Sequence, residues 1–370
     1  MRRRLLLATL LLATGCAMLR PDPVVLARLE PHLGRLLLVG FSGTALDASE
    51  ELDRLLCDVR VAGIVLFGRN ITSAQQVREL TTAVRHRVQS CGRAPLLIAV
   101  DAEGGRVMRL GAQAGFTPSL SHRDLGDEND FAATELEARR IGALLREAGI
   151  NWNLGPVVDV GYNPANPVIV GLGRSFGANP LLVTEHARAW MSGMRAAGVL
   201  TALKHFPGHG SSFDDSHLGF VDVTATARPE IELIPYRTLI AEELVDAIMT
   251  AHVFNRTLDP EHPATLSHAT ITGLLRRDLG FRGLVVTDDL RMGAIDGHYG
   301  LGEAAVLALD AGADLLLIAE DRLPDGRSAA LTALTAIREA LRRGRLAPER
   351  IAQALGRVEA LTERVGREGP

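Results

Sequence analysis

Short apolar runs recur along the chain at residues 36–41, 63–67, 96–100, 153–160, 199–204, 247–251, 284–287 and 314–318. Their character is continuous, not alternating, as expected of parallel strands buried on both faces. Amphipathic stretches separate them, for instance 73–88, 130–148, 180–197 and 302–311. Eight alternations of strand and helix predict an α/β fold, a (β/α)8 TIM-type barrel, over an open doubly wound sheet. Several helices run into a glycine just before the next strand, at Gly149, Gly198, Gly280 and Gly312. Glycine ends a helix in the left-handed conformation without steric cost. No low-complexity linker divides the body of the chain, so residues 31–365 are expected to form one domain, closed by C-terminal helices.

The N-terminus has a different pattern. Arg2, Arg3 and Arg4 precede an apolar run from Leu5 to Ala13, followed by Thr14, Gly15 and Cys16. A basic region, a short apolar core and small residues at a boundary predict a signal peptide over residues 1–16. The run is too short for a membrane-spanning helix, which needs about 20 residues. Small residues before Cys16 resemble a bacterial lipobox, although Ala13 stands where leucine is usual. The expectation is an exported protein, periplasmic or extracytoplasmic, with a lipid anchor at Cys16 as its membrane attachment. A plain signal peptide with an incidental cysteine is the first alternative, and a cytoplasmic protein is the second. Residues 17–30 are expected to be a linker or short helix, broken by Pro21, Pro23 and Pro31. Cys57 and Cys91 are then left, and in an oxidising compartment they could pair, though nothing in their spacing requires it.

Composition narrows the function classes. The formal charge is -4 and no basic block occurs, so nucleic acid is not an expected partner. Aromatics make up 4% and include two Trp, too few for a broad stacking platform, which favours a small pocket with polar recognition.

In a barrel of this kind chemistry sits at the C-terminal ends of the strands, and the charged residues gather there. The third run ends in Asp101-Ala102-Glu103-Gly104-Gly105-Arg106, and the fourth leads to Asp159 and a loop with Arg174. The fifth enters Lys204-His205-Phe206-Pro207-Gly208-His209-Gly210, then Asp214-Asp215-Ser216-His217. The sixth ends at His252 and the seventh at Asp288-Asp289. A carboxylate two residues before a histidine can bond its ring, fix the tautomer and raise its basicity, giving a proton donor and acceptor near neutral pH. The plainer alternative is a polar loop with fortuitous histidines. A carboxylate at the tip of the seventh strand can attack an anomeric carbon; its plainer alternative is a helix N-cap. Chemistry is assigned to Asp288 and capping or supporting work to Asp289. Glu103 and Arg106 read either as sugar-hydroxyl ligands or as an ion pair at the rim.

Three motifs in this order, Val100-Asp101-Ala-Glu-Gly-Gly-Arg-Val107, Lys204-His-Phe-Pro-Gly-His-Gly210 with Asp215-Ser-His217, and Thr287-Asp-Asp-Leu-Arg-Met292, resemble the glycoside hydrolase family 3 β-N-acetylglucosaminidases. The resemblance runs from about residue 40 to about residue 318. The Asp-Ser-His element separates this branch from the family's glucosidases, which take their acid from a second domain. The resemblance implies Asp288 as nucleophile, His217 as acid/base and Asp215 as its orienting partner. It also implies Asp101, Arg109, Arg174, Lys204 and His205 as ligands of the terminal sugar, with His209 shaping the loop. Ala102 occupies a position often glutamine in the family.

The expected activity is that of a retaining exo-β-N-acetylglucosaminidase acting through a glycosyl-aspartate. The resemblance implies N-acetylglucosaminyl-muramic fragments of peptidoglycan as substrate, with chito-oligosaccharides, or transfer to phosphate, as alternatives. No metal or organic cofactor is implied, and oligomeric state is not indicated. Three further readings compete: a metal-dependent hydrolase with His205, His209, His217 and Asp215 as ligands; a Schiff-base aldolase using Lys204; and a non-catalytic sugar-binding lipoprotein.

Overall fold

Each of the eight apolar runs overlaps a strand. They are β1 (Leu37–Val39), β2 (Gly63–Leu66), β3 (Leu97–Val100), β4 (Trp152–Asn153), β5 (Leu200–Phe206), β6 (Ala247–Thr250), β7 (Leu284–Thr287) and β8 (Leu316–Ile318). The structure, a computed structural model, describes residues 21–47, 50–93 and 95–367. The segment read as a signal peptide, Cys16 included, lies outside the described residues. Each strand from β1 to β6 pairs in parallel with its successor, and β8 returns to pair with β1. The ring closes between β7 and β8 through a parallel bridge from Val286 to Leu315 and a bond from Thr287 N to Leu315 O of 3.0 Å. The expected eight-stranded parallel barrel is therefore the observed one.

Period-two side-chain alternation sorts each strand into two cores. Leu38, Val65, Ala99, Trp152, Met249 and Val286 fill the barrel interior. Leu37, Ile64, Ile98, Leu203, Ile248 and Val285 pack outward against the surrounding helices. Helices Phe131–Glu147 and Pro180–Ala196 form the most extensive helix pair on this outer layer. Both end on the expected left-handed glycines, Gly149 at φ 76° and Gly198 at φ 70°. The C-terminal helix Pro348–Arg367 inserts Val358 and Leu361 into the interior core, beside residues from the N-terminal ends of the strands such as Ala62 and Leu97. Its Arg364 pairs with Asp246 at 2.7 Å on the same face. The barrel floor is thus plugged, leaving the C-terminal ends as the open face.

The fourth strand differs from its expected extent of 153–160. Regular pairing stops after Asn153, where Gly155-Pro156 follows. Proline has no N–H to give to a ladder. The chain stays beside β5 irregularly, with Ala202 N donating to Gly155 O at 2.9 Å and Val158 N to Lys204 O at 2.9 Å. Within the segment 17–30, the described part forms the helix Pro23–Leu29, N-capped by the Asp22 side chain. Cys57 and Cys91 form a disulfide with a Cα–Cα distance of 5.6 Å, tying the segment before β2 to the end of the helix Ala74–Ser90.

Candidate active site

The open face holds a cleft of about 540 Å³, lined by the tips of the strands and the loops that follow them. Asp101, Arg109, Arg174, Lys204, His205, Asp215, His217 and Asp288 all line it, so every residue expected at the site arrives there. A larger groove of about 750 Å³ lies on the barrel's flank between residues 44–47 and the helix Ala74–Ser90. Asp47, Asp53 and Glu79 are its charged lining residues, and it lacks the facing cations and imidazoles of the cleft.

The cleft floor is an alternating network of charges. Lys204 Nζ, on β5, bonds Asp101 Oδ1 at 2.8 Å and Glu103 Oε1 at 2.6 Å. Arg174 grips Glu103 with two parallel bonds of 2.8 Å each, a bidentate geometry that fixes both planes. Arg109 Nη2 adds a contact of 3.3 Å to Asp101 Oδ2. Asn153, fully buried at the end of β4, accepts from Ala102 N and donates to Ala102 O, both at 3.0 Å. That clamp sets the direction in which the flanking Asp101 and Glu103 point. Burial opposes ionisation of Glu103, but Arg174 and Lys204 outweigh it and hold its carboxyl well below the usual range. Burial likewise disfavours the Lys204 cation, yet Asp101 and Glu103 leave it more firmly protonated than an ordinary lysine. A Schiff-base nucleophile needs the free amine, so the aldolase reading has no support in this geometry.

Beyond Lys204, His205 is oriented by Asp159. His205 Nδ1 lies 2.7 Å from Asp159 Oδ2, so Nδ1–H donates and Nε2 accepts from Arg174 Nη2 at 3.3 Å. Asp159 Oδ1 also accepts His209 N at 2.7 Å. The His209 ring lies between Ser212 Oγ, 2.7 Å from Nδ1, and Ser216 Oγ, 3.1 Å from Nε2. His217 Nδ1 is 2.6 Å from Asp215 Oδ1, the pairing expected from their spacing. With Nδ1 engaged, Nε2 is the ring nitrogen left for proton exchange. The imidazoles of His205, His209 and His217 thus have separate partners, and among the described residues no three metal-ligating side chains converge.

Asp288 stands at the tip of β7 and accepts Asp289 N at 2.8 Å. Burial pushes its carboxyl up, but the His252, His205 and His217 rings pull harder and bring it down to about 2. Its neighbour goes the other way, because burial dominates and raises Asp289 to about 6. Asp289 Oδ1 accepts Arg291 N at 3.1 Å and Ala319 N at 2.9 Å, tying the tip of β7 to that of β8. One carboxylate is therefore kept ionised and facing the cleft while the other is held by backbone, a division of the kind that separates chemical from structural carboxylates.

Residues beyond the expected sugar ligands and catalytic groups are also tied into the network. Glu103 does not pair with Arg106, which reaches Gly171 O at 3.3 Å instead; its partners are Arg174 and Lys204. Asp159 and His252 were visible as polar strand-tip residues, but their partners lie far along the chain. His252 Nε2 donates to Asp289 O at 2.9 Å. Two buried groups gave no sequence signal. His122 lies under the network against Phe176 and Trp190, and burial lowers it to about 3. Glu232 packs beneath Gly208, and burial raises it to about 7.

The cleft thus brings Asp288 and the hydrogen-bonded Asp215–His217 pair into one charged pocket. Residues 28–361 match the model of the glycosyl hydrolase family 3 N-terminal domain. The chain belongs to glycosyl hydrolase family 3. Its sequence is 39% identical over 290 residues to a β-hexosaminidase of Alkalilimnicola ehrlichii, covering 76% of this chain and 80% of that protein. It is 38% identical over 285 residues to β-hexosaminidase A of Pseudoalteromonas piscicida, covering 72% of this chain and 47% of that one, so the chain spans under half of that relative. Its fold matches a family 3 β-N-acetylglucosaminidase of a Paenibacillus species with a TM-score of 0.85 and 39% identity, over 92% of this chain and 63% of that structure.

Proposed function

We propose that this family 3 protein is an exo-acting β-N-acetylglucosaminidase that works with retention through a glycosyl–Asp288 intermediate. The observation that carries the reading is the pairing, across one cleft, of an ionised Asp288 with the Asp215–His217 dyad. Asp288 attacks C1 of a terminal β-linked N-acetylglucosamine. His217, protonated and held by Asp215, donates to the departing glycosidic oxygen. In the second step neutral His217 takes a proton from water, which attacks C1 and frees Asp288. Most retaining enzymes use two carboxyl groups about 5–5.5 Å apart; an imidazole in the acid's place avoids repulsion with the nucleophile. Asp101, Arg109, Arg174, Lys204 and His205 bind the hydroxyl groups of the terminal sugar. A fixed charge network suits that task, since charge-assisted hydrogen bonds are directional and strong.

The substrate we favour is N-acetylglucosaminyl-muramic fragments of peptidoglycan, met outside the cytoplasm. Export is supported by the N-terminal pattern of residues 1–16 and by the Cys57–Cys91 disulfide, since such bonds persist in oxidising compartments. The test is hydrolysis of p-nitrophenyl β-N-acetylglucosaminide against the matching β-glucoside, with Asp288→Ala alongside and EDTA in parallel. Selective, EDTA-insensitive release that the variant loses is the expected result. Equal turnover of both glycosides, or full activity in Asp288→Ala, contradicts the reading. Comparing chito-oligosaccharides with muramic-acid fragments then decides the aglycone.

A further inference from the structure

We propose that His209 and Gly293 are positioning residues that seat the Asp215–His217 dyad over the cleft, with Ser216 as the joint between them. The inference rests on the acid/base role of His217 given above.

The segment carrying the dyad is exposed at its flanks. Phe213 is 60% exposed and Leu218 87%, and the His217 side chain is itself exposed. Ser216, between the two members of the dyad, is only 3% exposed. It is held from two sides. On the β5 side its Oγ meets His209 Nε2 at 3.1 Å. On the β7 side its carbonyl accepts Ala294 N at 3.2 Å, and the His217 carbonyl accepts Gly293 N at 3.3 Å. Those donors begin the helix Gly293–Tyr299, which follows the strand that presents Asp288. The nucleophile's strand and the acid/base segment are therefore joined by backbone hydrogen bonds.

His209 is suited to this role because its own position is over-determined. Its N–H is held by Asp159 at 2.7 Å, and its carbonyl accepts Asn166 Nδ2 at 2.8 Å and Ser212 Oγ at 3.0 Å. With the Ser212 hydroxyl donating to that carbonyl, Nδ1–H donates to Ser212 Oγ, and Nε2 is left to accept from the Ser216 hydroxyl. Burial keeps the ring neutral, lowering it to about 4, so a donor and an acceptor nitrogen coexist at working pH.

Gly293 is suited because nothing larger fits. A Cβ there would lie 2.9 Å from the His217 carbonyl oxygen, 3.0 Å from Leu218 C and 3.2 Å from Gly219 N. All three are backbone atoms, so any side chain at position 293 must displace the segment that carries the acid/base.

The experiment measures kcat/KM for Ser216→Ala, Gly293→Ala and His209→Phe, with His217→Ala as reference. Each is run on p-nitrophenyl β-N-acetylglucosaminide, whose leaving group needs little protonation, and on N,N′-diacetylchitobiose, whose leaving group needs much. A displaced acid loses about 100-fold on chitobiose, the scale for a misplaced catalytic group, and far less on the aryl glycoside. Thermal midpoints and near-ultraviolet circular dichroism check folding; if His209→Phe does not fold, Ser216→Ala, which removes a single oxygen atom, carries the test. Selective loss in Ser216→Ala and Gly293→Ala supports the seat. Equal losses on both substrates, or none, overturn it while leaving His217 in place. A reference His217→Ala that shows no selectivity instead removes the acid/base reading, and the seat with it.

Discussion

Two buried charge clusters occupy opposite ends of the same barrel. At the C-terminal face, Asp101, Glu103, Lys204 and Arg174 alternate in sign, and all but the buried Glu103 line the cleft. At the N-terminal face, Asp314, just before β8, is fully buried and ringed by Arg276, Arg350 and Arg357. Asp314 Oδ2 also accepts Val285 N at 3.0 Å. The chemical ingredients are nearly the same. In the lower cluster every guanidinium comes from a different turn of the helical layer and closes on one carboxylate, so the cluster ties the C-terminal helix to the barrel floor. In the upper cluster donors and acceptors line open space where a polyhydroxylated ligand can replace water. Buried ion pairs do not announce their purpose; the end of the strand on which they sit does.

The largest effect separating the two ends is expected at Asp288. Asp288→Ala should lower kcat by about 10⁴-fold or more, the scale seen when a catalytic triad member is removed, while the thermal midpoint hardly moves. Next come the two clusters themselves. Asp314→Asn leaves three guanidinium groups facing an uncharged partner and should cost about 3–5 kcal/mol, read by denaturant unfolding, with kcat/KM unchanged where the variant is folded. Glu103→Gln should lose comparable stability and also raise KM, because Lys204 and Arg174 lose the carboxylate that aims them. A folded Asp314→Asn variant with impaired catalysis would break the distinction between the two ends.

Smaller effects sharpen it. Opening the disulfide with Cys57→Ser and Cys91→Ser should lower stability by about 2–4 kcal/mol without changing kcat/KM, because the bond lies away from the cleft. The smallest is a pH effect at Glu232. Its folded carboxyl is raised above its unfolded value of 4.5 to about 7. Stability from the protonated group is then fully present below 4.5 and lost as pH rises through 7. Wild-type protein should therefore lose thermal stability between pH 5 and pH 8 relative to Glu232→Gln, measured by scanning calorimetry in matched buffers. Parallel curves for the two proteins would contradict that assignment.

Much of this is legible in the sequence. Strands buried on both faces write themselves as unbroken apolar runs, and glycines with positive φ mark where helices stop. Asp215 and His217 are two residues apart, so their hydrogen bond could be foreseen. What escaped detection depends on long-range contact. Glu103 finds Arg174 across 71 residues and Lys204 across the barrel. Cys57 and Cys91 approach because the helix Ala74–Ser90 folds back on the segment before β2. The fourth strand is shorter than its apolar run, because 153–160 continues through Gly155-Pro156, where the ladder stops. His122 and Glu232 carry no motif; only burial makes them notable.

The central claim is that Asp288 becomes covalently glycosylated. The most direct measurement is peptide mapping by mass spectrometry of protein acid-quenched during turnover of p-nitrophenyl β-N-acetylglucosaminide. The account predicts one N-acetylhexosaminyl adduct, on the peptide containing Asp288, which disappears in Asp288→Ala. An adduct on another carboxylate, or no adduct together with release of the α-anomer as first product, would contradict it.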